Sequence, residues 1–156
     1  MEYRKLIDVE FKEFDREALE KSREWLNDPE MKELTMTPDF DKESQEKWFE
    51  SLKNRTDYFL QTTLHNGNPI GVVGIKKMTE KDGEIFGYLG EKDYWGKTAG
   101  VQMTQHLIDY ATSRNLESIY CITLKTNVRL YKLCRRFGFE VEKDVDDKSI
   151  MMRLYL

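Results

Sequence analysis

Apolar and polar positions alternate from Tyr3 to Phe11. Tyr3, Ile7, Val9 and Phe11 share one parity, mostly charged residues lie between them, and Lys5 interrupts the apolar face. A period of two predicts a half-buried strand over 3–11. The period then lengthens. Leu19, Trp25 and Leu26 give one apolar side to a helix over Arg16–Leu26, behind Asp15 as its cap. Asn27-Asp28-Pro29 stops that helix. Glu30–Phe40 scatters Met31, Leu34, Met36 and Phe40 among polar residues and shows no clear period, whereas Glu43–Leu52 predicts a second helix with Trp48, Phe49 and Leu52 inward.

Strand-like runs over Tyr58–Leu64 and Pro69–Lys76 flank His65-Asn66-Gly67-Asn68, whose Asn-Gly pair signals a tight hairpin. The loop Lys77–Asp82 leads through Gly83 to a third run, Glu84–Gly90. A helix over Val101–Ser113 follows, burying Val101, Leu107, Ile108 and Ala111. Ser118–Leu124 reads as a short apolar strand, and Asn127–Phe137 as a helix with Leu130, Leu133 and Phe137 inward, ended by Gly138. Phe139–Glu142 and Lys148–Leu156 read as a closing hairpin. A strand–helix–strand crossover from Glu84 to Leu124 requires a parallel pair in an otherwise antiparallel sheet. The expected fold class is α/β in the broad sense, an α+β mixed sheet with one parallel strand pair flanked by about four helices.

The crossover contains the stretch that organises the rest, Tyr94-Trp95-Gly96-Lys97-Thr98-Ala99-Gly100. A strand, a glycine-bearing turn and a helix bring unpaired backbone N–H groups to a helix N-terminus, which suits a phosphate. Glycines that merely relieve strain would give the same pattern. In a mixed sheet the ligand site belongs at such strand ends.

Composition narrows the classes. The 156 residues are enough for one domain over 1–156. Lys and Arg number 25 against 29 Asp and Glu, a net charge of −4 with the signs interspersed, so no basic stripe speaks for nucleic acid. Cys121 and Cys134 form neither a disulfide framework nor a metal-ligand spacing, and their apolar segments suit a reducing compartment. The N-terminus is charged from Glu2 and has no apolar signal region, and no apolar run reaches membrane length. The expectation is a cytoplasmic protein with no metal, membrane or nucleic-acid partner.

Three motifs in order resemble the GNAT family of N-acetyltransferases. The turn is similar to that family's Arg/Gln-x-x-Gly-x-Gly/Ala loop, particularly its Trp-Gly-Lys-Gly form. The run Asn127-Val128-Arg129-Leu130-Tyr131-Lys132-Leu133-Cys134, ending in Phe137-Gly138-Phe139, resembles Asn-x-x-Ala-x-x-Leu-Tyr-x-x-x-Gly-Phe. Trp25-Leu26-Asn27-Asp28-Pro29 resembles the Trp-Arg-Asn-x-Pro of a branch that includes ribosomal-protein and amino-sugar-nucleotide acetyltransferases. The resemblance implies acetyl-CoA as cosubstrate and a primary amine as acceptor. It implies that backbone N–H groups of Trp95, Gly96, Lys97, Thr98, Ala99 and Gly100 hold the pyrophosphate. Tyr88, Leu89 and Gly90 would pair with the pantetheine through their main chain, and the Asn127 side chain would contact CoA.

Departures from the family pattern leave alternatives open. Thr98 replaces the central loop glycine, so either its hydroxyl donates to a phosphate oxygen or the loop binds CoA poorly. Cys134 stands where the family has the Tyr that protonates the departing thiolate. Cys134 itself, Tyr131 one turn earlier, or solvent could supply that proton. Glu84 is the nearest candidate base, but the family's Glu position holds Ile85, and only a bulge would restore the register. Glu91 is an alternative; His65 and His106 have no evident partner. Trp25, Asn27, Met31 and Met36 are the candidate acceptor residues, with Trp48 assigned to packing. By resemblance the acceptor is a small molecule such as an amino-sugar nucleotide, then a protein N-terminus, then a polyamine; a homodimer stays open. A non-catalytic acyl-CoA-binding module is the rival class. An unrelated nucleotide-binding domain is disfavoured, since the chain lacks the acidic residue of a dinucleotide site at matching context.

Overall fold

The computed structural model describes residues 3–156. In chain order the strands and helices are β1 (Glu10–Glu13), α1 (Arg16–Asn27), α2 (Pro29–Thr35), α3 (Lys42–Ser51), β2 (Phe59–His65), β3 (Asn68–Lys76) and β4 (Glu84–Leu89). Then come α4 (Ala99–Ser113), β5 (Ser118–Leu124), α5 (Val128–Arg136), β6 (Glu140–Asp144) and β7 (Ser149–Tyr155). Short 3₁₀ turns occupy Leu52–Asn54 and Lys92–Tyr94. The seven strands form one sheet in the order β1-β2-β3-β4-β5-β7-β6, antiparallel throughout except for β4 and β5. The expected mixed sheet is therefore present, with five flanking helices among the described residues.

Two expectations need correction. The strand expected over 3–11 begins only at Glu10, where Glu10 pairs with Leu64. Upstream of it the backbone bonds to α4 and to the β2–β3 turn instead: Leu6 donates to the Thr98 hydroxyl, and the Ile7 and Asp8 carbonyls face Gln102 and His65. Residues 30–40, without a clear period, begin with a helix. Asp28 accepts from the N–H groups of Glu30 and Met31, and Pro29 takes the first helical position, where its missing N–H costs nothing. The Asn-Asp-Pro that ends α1 thus also starts α2.

Helices cover both faces of the sheet. On one face Val73, Ile75 and Ile85 pack with Met103, Leu107 and Ala111 of α4 and with Ile119, Cys121, Cys134 and Phe139. On the other, Val72 packs with Phe14, Ala18, Leu19 and Trp25, and partly buried Trp48 and Tyr88 lie against them. Removing a side chain such as Leu19 or Ile75 from water stabilises the fold by about 1.5–3 kcal/mol each. Acidic pairing ties α3 to α1, since Glu46 receives hydrogen bonds from both Arg16 and Arg23.

The two parallel strands share one register position, Glu84 opposite Tyr120, where the Tyr120 N–H donates to the Gly83 carbonyl at 3.1 Å. Main-chain groups alternate sides along a strand. Gly90 donates its N–H to Ile70 of β3, so Tyr88 and Phe86 turn toward β3 as well. Ile85, Gly87 and Leu89 therefore turn toward β5, beyond the point where β5 stops pairing. Gly87 is exposed although its strand lies inside the sheet. The sheet is open there.

Candidate active site

The open edge of β4 runs straight into the organising turn. Trp95 donates its indole N–H to the Leu89 carbonyl at 2.9 Å, folding the turn back over the strand end. Within the turn, the Trp95 N–H goes to Lys92 and the Lys97 N–H to Tyr94. Gly96 has φ +81° and Thr98 φ +66°, both left-handed. Helix α4 starts at Ala99, and its first main-chain bond is from the Gln102 N–H to the Thr98 carbonyl at 3.0 Å. Of the six N–H groups expected at a pyrophosphate, Gly96, Thr98, Ala99 and Gly100 carry no hydrogen bond among the described residues, and those of Trp95 and Lys97 do. Val101 is a further unbonded donor that the motif did not include. Converging N–H groups at the positive end of a helix dipole suit an anion.

On the strand, Leu89 presents its N–H to the open edge, whereas Tyr88 and Gly90 face β3. Gly87 joins Leu89 on that edge, a residue the motif did not single out. Its exposure inside an alternating apolar strand is visible only in the fold.

Helix α5 flanks the turn. Arg129 lies over the Trp95 ring at 4.8 Å, and a side chain at Gly100 would meet Leu133. Asn127 caps α5 by accepting the Leu130 N–H at 3.2 Å, which leaves its amide N–H groups as donors. One turn on, Tyr131 is 37% exposed. Cys134 is 1% exposed, its sulfur 3.4 Å from that of Cys121. The neighbouring Cys121 sulfur, and then burial, push its pKa well up. The two candidate acids thus part company, Tyr131 at the surface and Cys134 in the core.

Glu84 is buried at the vertex where β4 and β5 separate. The ladder from Gly71–Leu89 to Lys76–Glu84 is regular, with no bulge, so Glu84 shares the α1–α3 face with Phe86 and Tyr88 while Ile85 packs under α4. Its carboxylate lies 3.6 Å from Lys76 and 3.7 Å from Lys77, and Oε1 has no hydrogen-bond partner among the described residues. Tyr120 sits beside it, its phenol pKa raised by burial and then by the Glu84 charge.

The expected acceptor residues do not form one pocket. Trp25 is buried against Gly90, edge-on to Tyr88, and donates to Glu91 at 3.1 Å, which occupies that alternative acid. It borders a notch of about 480 Å³ with Lys21, Glu24, Asp28, Glu91, Lys92 and Asp93. Asn27 is exposed at the end of α1, and Met31 is 2% exposed. Met36, left-handed at the end of α2, lines a groove of about 670 Å³ between α2, the end of β5 and the β6–β7 turn. Lys32, Glu33, Lys125, Asp147 and Lys148 supply its charges; being loop and surface positions far apart in sequence, they gave no signal there. Both histidines have partners: His65 Nδ1 lies 2.7 Å from the Asp8 carbonyl, and His106 Nε2 is 2.6 Å from Gln61 while its ring stacks on Phe11.

A family model described as an acetyltransferase (GNAT) domain matches residues 8–140. The chain belongs to the GNAT family. None of the curated proteins compared with it matches. Among solved structures it is similar to spermidine N-acetyltransferase from Vibrio cholerae in complex with CoA and spermine, with a TM-score of 0.86 at 15% identity over 94% of this chain and 95% of that one. A domain from Methanocaldococcus jannaschii gives a TM-score of 0.85 at 18% identity over 96% and 99%. Campylobacter jejuni N-acetyltransferase PseH with acetyl coenzyme A gives 0.72 at 16% identity over 95% and 99%. At these identities the likenesses bear on the fold. As a GNAT acetyltransferase the protein is an acyltransferase that uses acetyl-CoA. The open β4 edge and the unbonded N–H groups at α4 fit that donor: one offers strand-like pairing to an amide-bearing arm, the other an anion site. Among the described residues no helix is long and apolar enough to cross a membrane, and no group of three or more His, Cys, Asp or Glu could hold a metal ion.

Proposed function

We propose that this GNAT enzyme acetylates the primary amine of a small phosphate-bearing acceptor, an amino-sugar nucleotide, by direct attack within a ternary complex in the cytoplasm. The observation that carries the reading is the exposed Gly87 on an interior strand, on an open edge that ends at the N-terminus of α4. Acetyl-CoA supplies an acetyl thioester. Gly96, Thr98, Ala99 and Gly100 bind its pyrophosphate through their N–H groups, the edge of Gly87 and Leu89 pairs with its amide arm, and Asn127 donates to it. A β4-edge N–H polarises the thioester carbonyl, where a fixed dipole is worth most as negative charge develops.

Glu84 takes the proton of the attacking amine, directly or through a water. Its burial at the strand vertex and its unbonded oxygen support that role. Tyr131 returns a proton to the departing thiolate; its exposure supports it over Cys134, which burial withdraws from any ligand.

For the acceptor, charge is the guide. The groove at Met36 carries Lys32, Lys125 and Lys148 against Glu33 and Asp147, a balance that favours an anionic acceptor over a polycation. A polyamine is the second reading, supported by the acidic notch at Trp25, where Glu24, Asp28, Glu91 and Asp93 outnumber Lys21 and Lys92. Thiol release from acetyl-CoA, measured with a nucleotide-linked amino sugar beside spermidine, separates the two. Faster release with the nucleotide sugar is expected; faster release with spermidine would move the acceptor to the acidic notch.

A further inference from the structure

Thr98 holds a backbone conformation that a β-branched residue rarely adopts, and it does so at the mouth of the donor site. The cause lies far away in sequence. The segment before β1 crosses the first turn of α4, where the Leu6 N–H donates to the Thr98 hydroxyl at 3.1 Å. Gln102, one turn into α4 and 6% exposed, donates from the same amide nitrogen to the Ile7 carbonyl at 2.8 Å and to the Thr98 hydroxyl at 3.3 Å. The four groups close a ring, pinned at its far side by His65 on the Asp8 carbonyl.

The ring has a chemical consequence. A hydroxyl offers two lone pairs and one proton. Both lone pairs of Thr98 are engaged, by Leu6 and by Gln102, so its proton has no partner among those neighbours. We propose that Gln102, acting with the Leu6–Ile7 strap, is a positioning residue of the donor site: it holds Thr98 in the left-handed conformation a glycine would adopt unaided, and it turns the Thr98 O–H proton toward the bound phosphate. This rests on the donor site proposed above. Gln102 touches no substrate; it acts through Thr98.

The test is a calorimetric titration with CoA on the full chain, comparing wild type, Gln102→Leu, Thr98→Gly and the double variant, with thermal unfolding recorded for each. Gln102→Leu removes both side-chain bonds and is expected to weaken CoA by about tenfold. Thr98→Gly regains the loop conformation without the ring and is expected to stay within about threefold of wild type. In the Thr98→Gly background Gln102→Leu should then cost nothing further, because nothing remains for it to position. Thr98→Val, which has no hydroxyl for Leu6 and Gln102 to hold and keeps the β-branch that resists the left-handed conformation, should lose about tenfold as well, and it serves if Gln102→Leu does not fold. Undiminished CoA binding by Gln102→Leu, or an equal loss with and without Thr98, overturns the inference while leaving the donor site standing. A wild type that fails to bind CoA overturns the donor site and the inference with it.

Discussion

Gly90 and Trp25 are in direct contact: the indole fills the space that a side chain at 90 would need. This contact fixes the end of β4 to α1 just before the donor turn, and the ring is held from its other side by Tyr88 and by the bond to Glu91. Gly90→Ala is expected to push the indole out and to destabilise the fold by about 1–3 kcal/mol. Denaturant unfolding measures the loss. Combining it with Trp25→Phe should recover part of it; a Gly90→Ala variant as stable as wild type would show that the indole moves freely.

The two candidate acids predict opposite phenotypes. Tyr131→Phe should lower kcat by about 10²-fold or more with the KM for acetyl-CoA little changed, as for a lost general acid. Cys134→Ala should leave kcat within a few-fold and instead lower stability by about 1 kcal/mol, the loss of a small buried group beside Cys121. Steady-state kinetics and unfolding on both variants check this. A large kcat loss in Cys134→Ala alone would return the acid role to the thiol.

Glu84→Gln removes the proposed base and keeps the side-chain shape. The expected result is a kcat lowered by about 10²-fold at neutral pH with the acceptor KM little changed. A variant of full activity would leave amine deprotonation to solvent.

Acid should loosen α1 from α3. Hydrogen bonds from Arg16, then Arg23, hold the Glu46 carboxyl at about 2, well below the usual Glu range. A depressed pKa means that the unfolded chain binds the proton first. The contribution to stability is therefore complete above the unfolded Glu value of about 4.3 and is lost as pH falls from there through the folded value. Glu46 is half-buried and still reached by solvent, so added salt should shrink the effect. Unfolding measured between pH 6 and pH 2 should show a drop that Glu46→Gln flattens, and a parallel curve for that variant would contradict it.

Much of this was legible from the chain. Ser118–Leu124 is bounded in the structure where the apolar run ends, because a buried strand between turns leaves little freedom. The donor turn was legible because its chemistry is carried by backbone at a helix start, which a strand–glycine–helix order reports directly. Alternation misled at Tyr3–Val9: within that stretch Leu6 and Ile7 bond to the start of α4 and Asp8 to His65 at the β2–β3 turn, and a segment gripped on two sides alternates as a strand does. Pro29 misled in another way: its ring and missing N–H, with the extended Asp28 before it, end α1, whereas its fixed φ suits the first position of α2. The groove charges at Lys125 and Lys148 could not be read, since only the fold brings them to α2. The expectation that Gly90 faces the pantetheine failed to anticipate its bond to Ile70, which depends on strand parity.

Calorimetric titration of the wild-type protein with acetyl-CoA tests the central claim most directly. One binding event per chain with micromolar affinity is the predicted result. Absence of binding would contradict a donor site built on the open edge of β4.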